Sequence, residues 1–223
     1  MEDLRRFRDR REGGQALAGT LGAARHVDGV VVALARGGIV VADEVARELG
    51  LPLDVVAVRK VGHPLQPEYA IGAVAPGSHG VYVRASDGLT EAEIAAAVER
   101  ALAASEELDR QLHERRMPID VEGKEVVLVD DGLATGATMV AAIRWARGRG
   151  ARRVIAAVPV AATQSAALIR READELVCPN ELEQFGAVGF WYEQFGQVDN
   201  DEVIGILDEA ASRPPAPPAG GRG

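Results

Sequence analysis

Residues 126–139 read Val-Val-Leu-Val-Asp-Asp-Gly-Leu-Ala-Thr-Gly-Ala-Thr-Met, and this stretch constrains the fold more than any other part of the chain. Four apolar, β-prone residues predict a buried strand, which ends at two adjacent carboxylates, Asp130 and Asp131. The turn after them opens a predicted helix over residues 137–147. A strand, an acid pair and a helix N-terminus in this order indicate a site for a sugar phosphate.

The turn at residues 134–138, here called the phosphate loop, has the properties of a phosphate cradle. Free N–H groups and the helix dipole favour an anion, Thr135 and Thr138 add hydroxyl donors, and Gly136 permits close approach. The acids would repel a phosphate, so they suit ribose hydroxyls or a divalent metal. Helix capping is the plainer alternative, but it needs one polar residue and does not explain two adjacent acids. A nucleotide P-loop would require a lysine where Ala137 stands.

Apolar strands alternate with amphipathic helices, which predicts an α/β fold with a parallel sheet covered on both faces. The predicted core strands are residues 29–34, 53–58, 126–130, 153–160 and 175–178. The predicted helices between them are residues 15–24, 40–49, 137–147 and 164–173. A short hairpin is predicted at residues 71–74 and 80–83.

The longest predicted helix covers residues 90–116 and begins with a capping box between Thr90 and Glu93. Its apolar residues keep helical spacing, so it is an amphipathic cover of the core or a contact between copies in a homo-oligomer. Residues 212–223 are rich in Pro and Gly and predict a disordered tail. Residues 1–211 are therefore expected to form one domain.

Composition indicates which kinds of partner the protein can bind and in which cellular compartment we expect it. A net charge of −9 argues against broad nucleic-acid binding, which draws on lysine and arginine. The longest apolar run, residues 154–162, is interrupted by Pro159 and is far shorter than the roughly 20 residues of a membrane span. The charged N-terminal segment lacks a secretory signal, and the single cysteine, Cys178, excludes an internal disulfide. We expect a cytoplasmic protein with no membrane partner.

Two further strands lead into cationic loops. Residues 29–34 precede Arg36, Gly37 and Gly38, a second turn that opens a helix and can hold an anion, although such a turn alone is more often a packing device. Residues 53–58 precede two cations in succession and then a loop punctuated by Gly and Pro, which is typical of a movable lid. Two surface cations at a strand end are the alternative for this second loop.

The stretch 126–139 resembles the phosphoribosyl pyrophosphate (PRPP) signature of the type I phosphoribosyltransferases and matches it at every position. The resemblance implies a five-stranded parallel sheet core flanked by helices, with a small hood and a flexible lid loop. It implies that Asp130 and Asp131 hold the ribose 2′- and 3′-hydroxyls, and hold Mg²⁺ directly or through water. The residues it assigns to the 5′-phosphate are Ala134, Thr135, Gly136, Ala137 and Thr138.

The resemblance extends to the pyrophosphate side of the site. The family places a pyrophosphate loop after an early core strand, and Arg36 and Gly37 lie at the matching place. Arg59 and Lys60 are similar to the basic pair that contacts pyrophosphate in that family. The lid that follows would close over the site and exclude water from a reactive sugar cation.

The motif is similar to that of the adenine phosphoribosyltransferases, whose lid carries a Glu-Tyr pair. This chain has Glu68 and Tyr69 in a shorter lid, so Glu68 is a candidate acid or base, or else a solvated loop residue. Enzymes for 6-oxopurines have Asp where Ala134 stands, which counts against hypoxanthine or guanine as the acceptor. His63 is a second candidate for proton transfer in the lid, but it has no visible partner in the sequence.

Residues 185–195 gather three of the four phenylalanines, one of the two tryptophans and one of the three tyrosines. The family's hood, built from terminal segments, binds the acceptor, and here it would comprise the N-terminal segment with about residues 179–200. Nucleobases stack on aromatic rings, and the alternative is that the rings anchor this segment to the core. The candidate acceptor contacts are Phe185, Phe190, Trp191 and Tyr192.

Over residues 7–207 the chain resembles a branch of predicted phosphoribosyltransferases that pairs Phe-Arg-Asp-Arg near the start with a Phe-x-x-Val-Gly-x-Trp-Tyr hood. We therefore expect a Mg²⁺-dependent transferase that moves ribose 5-phosphate from PRPP to a nitrogenous acceptor, such as a nucleobase, and releases pyrophosphate. The alternative is a regulatory protein of the same fold that senses PRPP without efficient transfer.

Overall fold

The computed structural model describes residues 6–22, 28–77, 79–84 and 88–213 in an α/β arrangement. The described strands are β1 Gly29–Leu34, β2 Leu53–Val56, β3 Arg59–His63, β4 Gln66–Val74, β5 Val81–Val83, β6 Glu125–Val129, β7 Arg153–Ala157, β8 Val160–Ala162, β9 Glu175–Val177 and β10 Asn180–Leu182. The described α-helices are α1 Arg10–Leu21, α2 Gly38–Leu49, α3 Glu91–Leu112, α4 Ala137–Gly148, α5 Thr163–Glu172 and α6 Asn200–Ala211, with a 3₁₀ turn at Val188–Trp191.

Five parallel strands form the central sheet in the order β2-β1-β6-β7-β9, which confirms the predicted fold class. All residues of β1 and β6 are buried, as expected for parallel strands covered on both faces. One apolar cluster packs the sheet against α1, α2 and α6, and a second packs it against α4 and α5. Because the strands are parallel, the loops after β1, β2 and β6 meet at one edge, here called the carboxyl edge.

Pro159 divides the predicted strand 153–160 into two. β7 ends at Ala157, since a proline has no N–H to donate to a ladder. The chain then forms β8, which pairs in parallel with β10, and Leu133 forms a bridge with Ala161. Leu133, β8 and β10, here called the hood sheet, thus lie beyond the carboxyl edge in a sheet separate from the central one.

The predicted lid loop is a β-hairpin, and the prediction of a loop was wrong in this respect. β3 pairs with β4 in antiparallel fashion. β5 adds a third strand, and its antiparallel pairing with β4 is the predicted hairpin of residues 71–74 and 80–83. The residues that suggested a loop occupy irregular places in the hairpin: the register shifts at Gly62, and Pro64 lies in the turn.

The long helix covers this hairpin sheet. α3 begins with the predicted capping box, in which Thr90 accepts from the N–H of Glu93 and the Glu93 side chain accepts from the N–H of Thr90. Ala97 packs in one apolar cluster with Val61 and Ile71 of the hairpin. The apolar face of the amphipathic helix α3 is therefore buried against β3 and β4.

His113 joins the end of α3 to β2. Its Nε2 lies 3.0 Å from Oδ1 of Asp54, and its Nδ1 lies 2.9 Å from the carbonyl oxygen of Asp109. Burial opposes a charge on the ring, but the hydrogen bonds to Asp109 and Asp54, with their charges, raise the pKa of His113 to about 10. Oδ2 of Asp54 also accepts from the N–H of Ile119 at 2.7 Å. A charged imidazolium therefore ties α3 to the sheet at neutral pH.

We expect the stabilising effect of His113 to fade as the pH rises from about 6.5 to about 10. Because the folded pKa is raised above the unfolded value, the contribution is complete below the unfolded pKa and is lost as pH rises through the folded one. His113→Gln should lower the free energy of unfolding by about 1–3 kcal/mol at low pH and by less at high pH. Urea denaturation of both proteins across this range measures the difference, and a constant difference would contradict the ion pairing.

The first helix begins earlier than predicted. α1 starts at Arg10 rather than at residue 15, and Asp9 caps it by accepting from the N–H of Glu12 at 2.9 Å. Its predicted end at residue 24 lies outside the described residues. Among the described residues, no helix has the length and apolar composition needed to cross a bilayer.

The domain extends past its predicted boundary at residue 211. The N–H of Ser212 donates to the carbonyl of Asp208 at 3.2 Å, and Arg213 pairs with Asp43 of α2, a carboxylate that also pairs with Arg47. These two residues of the predicted disordered tail are thus held by the domain. The rest of the tail, residues 214–223, lies outside the described residues.

Candidate active site

Asp130 and Asp131 follow β6 at the carboxyl edge. The N–H of Asp131 donates to Oδ1 of Asp130 at 2.9 Å. Burial, and then the charge of Asp131, hold the pKa of Asp130 well above its usual range. Burial also raises the pKa of Asp131, against a lowering effect of Arg10. The folded protein therefore carries an electrostatic cost at this pair, which hydroxyl donors or a cation would relieve.

Arg10, the last residue of the Phe-Arg-Asp-Arg motif at residues 7–10, was predicted as part of the hood and not as a partner of the acids. Its Nε donates to Oδ2 of Asp131 at 2.8 Å, and its Nη1 donates to the carbonyl of Gly196 at 2.7 Å. The guanidinium also lies 3.8 Å from the centre of the Phe195 ring. The motif placed Arg10 near the hood, but the sequence could not show its ion pair, because the two residues lie 121 positions apart.

The phosphate loop leads directly into α4. Its Gly136 has φ 76°, a left-handed conformation that favours glycine, and it is the N-cap of the helix without a side-chain capping bond among the described residues. The helix N-terminus is thus not capped by Asp or Thr, contrary to the capping alternative. The carbonyl of Ala134 accepts from Oγ of Ser165 at 2.6 Å, which fixes the start of the loop. In the loop, Ala134 and Thr135 are exposed, Thr138 is half-buried, and Gly136 and Ala137 are buried.

Gly37 and Gly38 bring the turn after β1 against the acid pair. A Cβ on residue 37 would clash with Oδ2 of Asp131, and a Cβ on residue 38 would lie 3.3 Å from Oδ1 of Asp130 and 2.7 Å from the carbonyl oxygen of Val129. Glycine at both positions permits this close approach, and at residue 38 the nearest atom belongs to the backbone, which cannot readily move aside. The structure therefore unites the two loops that the sequence predicted separately.

Three cations lie in the turn after β1 and at the start of β3. Arg36 is exposed at the start of the turn after β1, while Arg59 and Lys60 begin β3. The charge of Lys60 acts to lower the pKa of Asp130, which places that lysine on the side of the acids. Nε of Arg59 is buried and has no hydrogen-bond acceptor among the described residues. A buried donor without a partner is costly, so it favours a bound acceptor such as an anion.

The two titratable residues of the predicted lid lie on the hairpin. Glu68 is an exposed residue of β4. Nδ1 of His63 accepts from the N–H of Leu65 at 3.1 Å, and its ring centre lies 6.3 Å from that of Tyr69. These contacts of His63 stay within the hairpin. A proton-transfer role for Glu68 remains a prediction.

Tyr192 cannot offer its ring to an acceptor in this structure, which corrects its predicted stacking role. The side chain is 1% exposed, with the rings of Phe7 and Phe195 centred 5.8 and 5.2 Å from its own. Its hydroxyl donates to the carbonyl of Asp131 at 2.6 Å. Burial raises the pKa of Tyr192, so the phenol stays protonated and keeps this bond. Tyr192 therefore anchors the hood to the acid pair.

The other predicted hood rings divide between packing and exposure. Phe185 is 6% exposed, and its carbonyl accepts from the indole N–H of Trp191 at 2.9 Å. The two rings stack with centres 6.2 Å apart. Phe185 thus packs inside the hood, but it also lines a cavity together with Ala134, so its predicted contact with the acceptor stays a prediction. Trp191 is half-buried beside it. Phe190 is 66% exposed, which leaves its ring free for contact.

The N-terminal segment and the hood are paired through their backbones. The N–H of Phe7 donates to the carbonyl of Trp191 at 2.9 Å, and the N–H of Glu193 donates to the carbonyl of Phe7 at 2.8 Å. A third bond runs from the N–H of Gln194 to the carbonyl of Arg8 at 2.9 Å. This ladder places α1, which carries Arg10, beside the acid pair.

A cavity of about 560 Å³ opens beside Ala134, at the end of the hood sheet. Thr163 and Gln164 at the start of α5 line one side of it, and Glu183 and Gly186 line the hood side. The cavity lies between the phosphate loop and the hood. Hydroxyl, amide and carboxylate groups on its walls can recognise a ligand that carries both hydrogen-bond donors and acceptors.

Comparison with known proteins relates this arrangement to one family. A family described as the phosphoribosyl transferase domain matches residues 14–194. A protein of Mycobacterium tuberculosis, provisionally named a phosphoribosyl transferase, is 40% identical over 212 residues, which cover 93% of this chain and 47% of that protein. The chain thus spans about half the length of this curated relative.

Two further relatives match the chain over very different lengths. The crystal structure of TT1426 from Thermus thermophilus is 42% identical with a TM-score of 0.78, and the likeness covers 92% of this chain and 98% of that one. The uracil phosphoribosyltransferase of Streptomyces griseus is 43% identical over only 67 residues, 30% of this chain and 32% of that enzyme. The first likeness spans the whole architecture, and the second is confined to a third of it.

Proposed function

This chain belongs to the phosphoribosyl transferase family, and on that premise we propose that it transfers ribose 5-phosphate from PRPP to a nitrogenous acceptor and releases pyrophosphate. The observation that carries the proposal is the packing of Gly37 and Gly38 against Asp130 and Asp131. A turn suited to an anion and an acid pair suited to hydroxyls are thereby neighbours. A ribose that bears pyrophosphate on C1 needs these two surfaces side by side.

The sugar end of PRPP would lie between the acid pair and α4. The ribose hydroxyls would donate to Asp130 and Asp131, which relieves part of the cost of burying two carboxylates. The 5′-phosphate would accept from N–H groups of the phosphate loop and from Thr135 and Thr138. The contacts to the hydroxyls and to the 5′-phosphate would hold C1 in one position. Binding energy from groups away from C1 would thus orient C1 for the reaction.

In the reaction, the bond from C1 to the pyrophosphate oxygen breaks, a bond from C1 to an acceptor nitrogen forms, and the acceptor loses a proton. Negative charge grows on the leaving oxygen while the ribose becomes cationic. The leaving group would be stabilised by Arg36, Arg59 and Lys60. Nε of Arg59, a buried donor without a partner among the described residues, would donate a hydrogen bond to it. The buried acids would stabilise the sugar cation. Glu68 is our candidate for the group that accepts the acceptor's proton.

Mg²⁺ is part of the proposal. Adjacent carboxylates are hard oxygen ligands of the kind that Mg²⁺ prefers. Because Oδ2 of Asp131 pairs with Arg10, the candidate ligands are Asp130 and the other oxygen of Asp131. Within the described residues no cluster of three or more His, Cys, Asp or Glu side chains forms a metal cage. The ion would therefore keep water ligands and be shared with PRPP. When bound, it supplies positive charge to the pyrophosphate.

The acceptor would enter the cavity beside Ala134, between the phosphate loop and the hood. Gln164 and Glu183 offer polar contacts on its walls, and Phe190 offers an exposed ring at the hood. The motif is similar to that of adenine enzymes, whereas a third of the chain is similar to a uracil enzyme. Adenine and uracil are therefore the first acceptors to test.

We expect pyrophosphate release from PRPP and Mg²⁺ that depends on an added acceptor. The purified chain is assayed with adenine, uracil, other purines and pyrimidines, and simple amines, and pyrophosphate is measured with a coupled phosphate assay. Chelation of Mg²⁺ by EDTA should abolish release, and added Mg²⁺ should restore it, because the charge on pyrophosphate would otherwise be only partly neutralised.

Calorimetric binding of PRPP is measured on the same preparation. Tight binding without release for any acceptor would contradict the transferase and favour the alternative, a regulatory protein that senses PRPP. Absence of PRPP binding would contradict both proposals. An acceptor-dependent release would establish the transferase and identify the acceptor in one experiment.

A further inference from the structure

Arg10 contacts three separate parts of the candidate site. Its Nε donates to Oδ2 of Asp131, its Nη1 donates to the carbonyl of Gly196 in the hood, and its guanidinium covers the ring of Phe195. Its Nη2 faces the turn after β1, since a Cβ on Gly37 would lie 3.3 Å from that nitrogen. The side chain is only 11% exposed. One guanidinium thus touches or faces the acid pair, the hood and the pyrophosphate turn.

The place of Arg10 is not explained by stabilisation of its own helix. Arg10 is the first residue of α1, where the helix dipole disfavours a cation. Asp9 already caps the helix through the N–H of Glu12. The contacts of Arg10 with Asp131, Phe195 and Gly196 therefore account for its position.

We propose that Arg10 is a positioning residue that orients the carboxylate of Asp131 toward a ribose hydroxyl and couples this orientation to the seating of the hood. The proposal rests on the proposed function, in which Asp131 binds ribose. A carboxylate held at Oδ2 presents its other oxygen in one direction. Gly37 leaves the room for this orientation, since a side chain there would displace Oδ2.

The geometry calls for arginine rather than for any cation. Nε and Nη1 serve two acceptors while the planar face lies on Phe195, and a lysine ammonium cannot make the three contacts together. Loss of the guanidinium would leave the carboxylate of Asp131 without its cationic partner. The carboxylate would then be free to rotate. Its contact with a sugar hydroxyl would then be lost, while phosphate and pyrophosphate contacts elsewhere would remain.

The test compares ribose 5-phosphate with its 2-deoxy and 3-deoxy analogues by calorimetric binding to the full chain. The protein should prefer ribose 5-phosphate by about 10- to 100-fold over the analogue that lacks the hydroxyl held by Asp131, because a hydrogen bond to a charged group is lost. In Arg10→Ala this preference should fall to within about threefold. Arg10→Lys should show an intermediate preference, because it retains the charge without the fork.

Arg11→Ala is the matched control. Arg11 is the next residue of α1, but it pairs with Glu44 at 3.0 Å and not with Asp130 or Asp131. It should keep the preference of the unchanged protein. Unchanged preferences for both analogues in a folded Arg10→Ala protein would overturn the proposal and leave the transferase intact. If Arg10→Ala does not fold, Arg10→Lys decides alone: a reduced preference supports the proposal, and an unchanged one overturns it. Failure of the unchanged protein to bind PRPP would instead count against the proposed function.

Discussion

Replacement of both acids, Asp130→Asn with Asp131→Asn, is expected to reduce turnover by at least about 1000-fold while the protein stays folded. An amide carries no charge to stabilise a sugar cation or to hold Mg²⁺, and it accepts hydrogen bonds through one oxygen instead of two. Turnover is measured as pyrophosphate release at saturating acceptor, and folding is measured by thermal denaturation.

Stability should survive this double change for a physical reason. Burial and mutual repulsion raise the pKa of Asp130, so ionised carboxylates are a cost to the folded protein that amides do not carry. Arg10 loses its anionic partner in exchange, which offsets part of that gain. Glu99→Gln, an exposed change on α3, is the control and should leave turnover unaltered. A folded double variant with full activity would contradict the assignment of the site.

Gly37→Ala is expected to lower kcat/KM by about 100-fold or more through a single methyl group. Gly37 has φ −59° and ψ −35°, which any residue adopts, so the effect arises from space and not from backbone strain. The methyl group would clash with Oδ2 of Asp131 and would separate the turn after β1 from the acids. Steady-state kinetics with PRPP as the varied substrate measures the loss, and overpacking should also cost about 1–3 kcal/mol of stability.

The control for Gly37 is another glycine in a helical conformation with open space around it. Gly205 lies in α6, and a Cβ there meets no atom of the described residues within 4 Å. Gly205→Ala should therefore leave kcat/KM unchanged and stabilise the fold by about 0.5–1 kcal/mol, because alanine loses less conformational entropy on folding. Equal kinetic effects of the two changes would show that the turn after β1 does not depend on close approach.

Strands of the central sheet were predictable because burial on both faces requires continuous apolar runs. β1 has the bounds that the sequence predicted, and β6 differs by one residue at each end. The acid pair and the phosphate loop were predictable for the same reason, since they follow β6 at once. Local order along the chain thus predicted where these residues lie, while their roles in binding stay predictions.

The start of α1 was not predictable from helix propensity. Gly13 and Gly14 stand in its first turns, where glycine is unfavourable. They serve tertiary packing: a Cβ on residue 13 would lie 3.1 Å from the Tyr192 hydroxyl oxygen, and one on residue 14 would lie 2.8 Å from Cβ of Glu44. Contacts with distant elements overrode the local preference. The contact between Arg10 and Asp131, which lie 121 positions apart, escapes prediction for the same reason.

The aromatic cluster shows a different limit. Composition placed the rings together in residues 185–195, but it could not tell which faces are covered. Tyr192 and Phe185 are buried by their neighbours, whereas Phe190 is exposed. Likewise, Gly62 and Pro64 suggested a loop, because a bulge and a tight turn in a hairpin require the same residues as a loop does.

The backbone ladder between the N-terminal segment and the hood has a consequence for the order of assembly. Arg6 donates to the carbonyl of Tyr192, a partner 186 positions away, while β1 and α2 are neighbours both in sequence and in space. Contacts of such long sequence separation form late, because a long segment of chain must first be ordered. During synthesis the sheet can begin to form early, but Arg10 can reach its final place only after residues near 196 have left the ribosome. Catalytic competence would therefore be a property of the finished molecule alone.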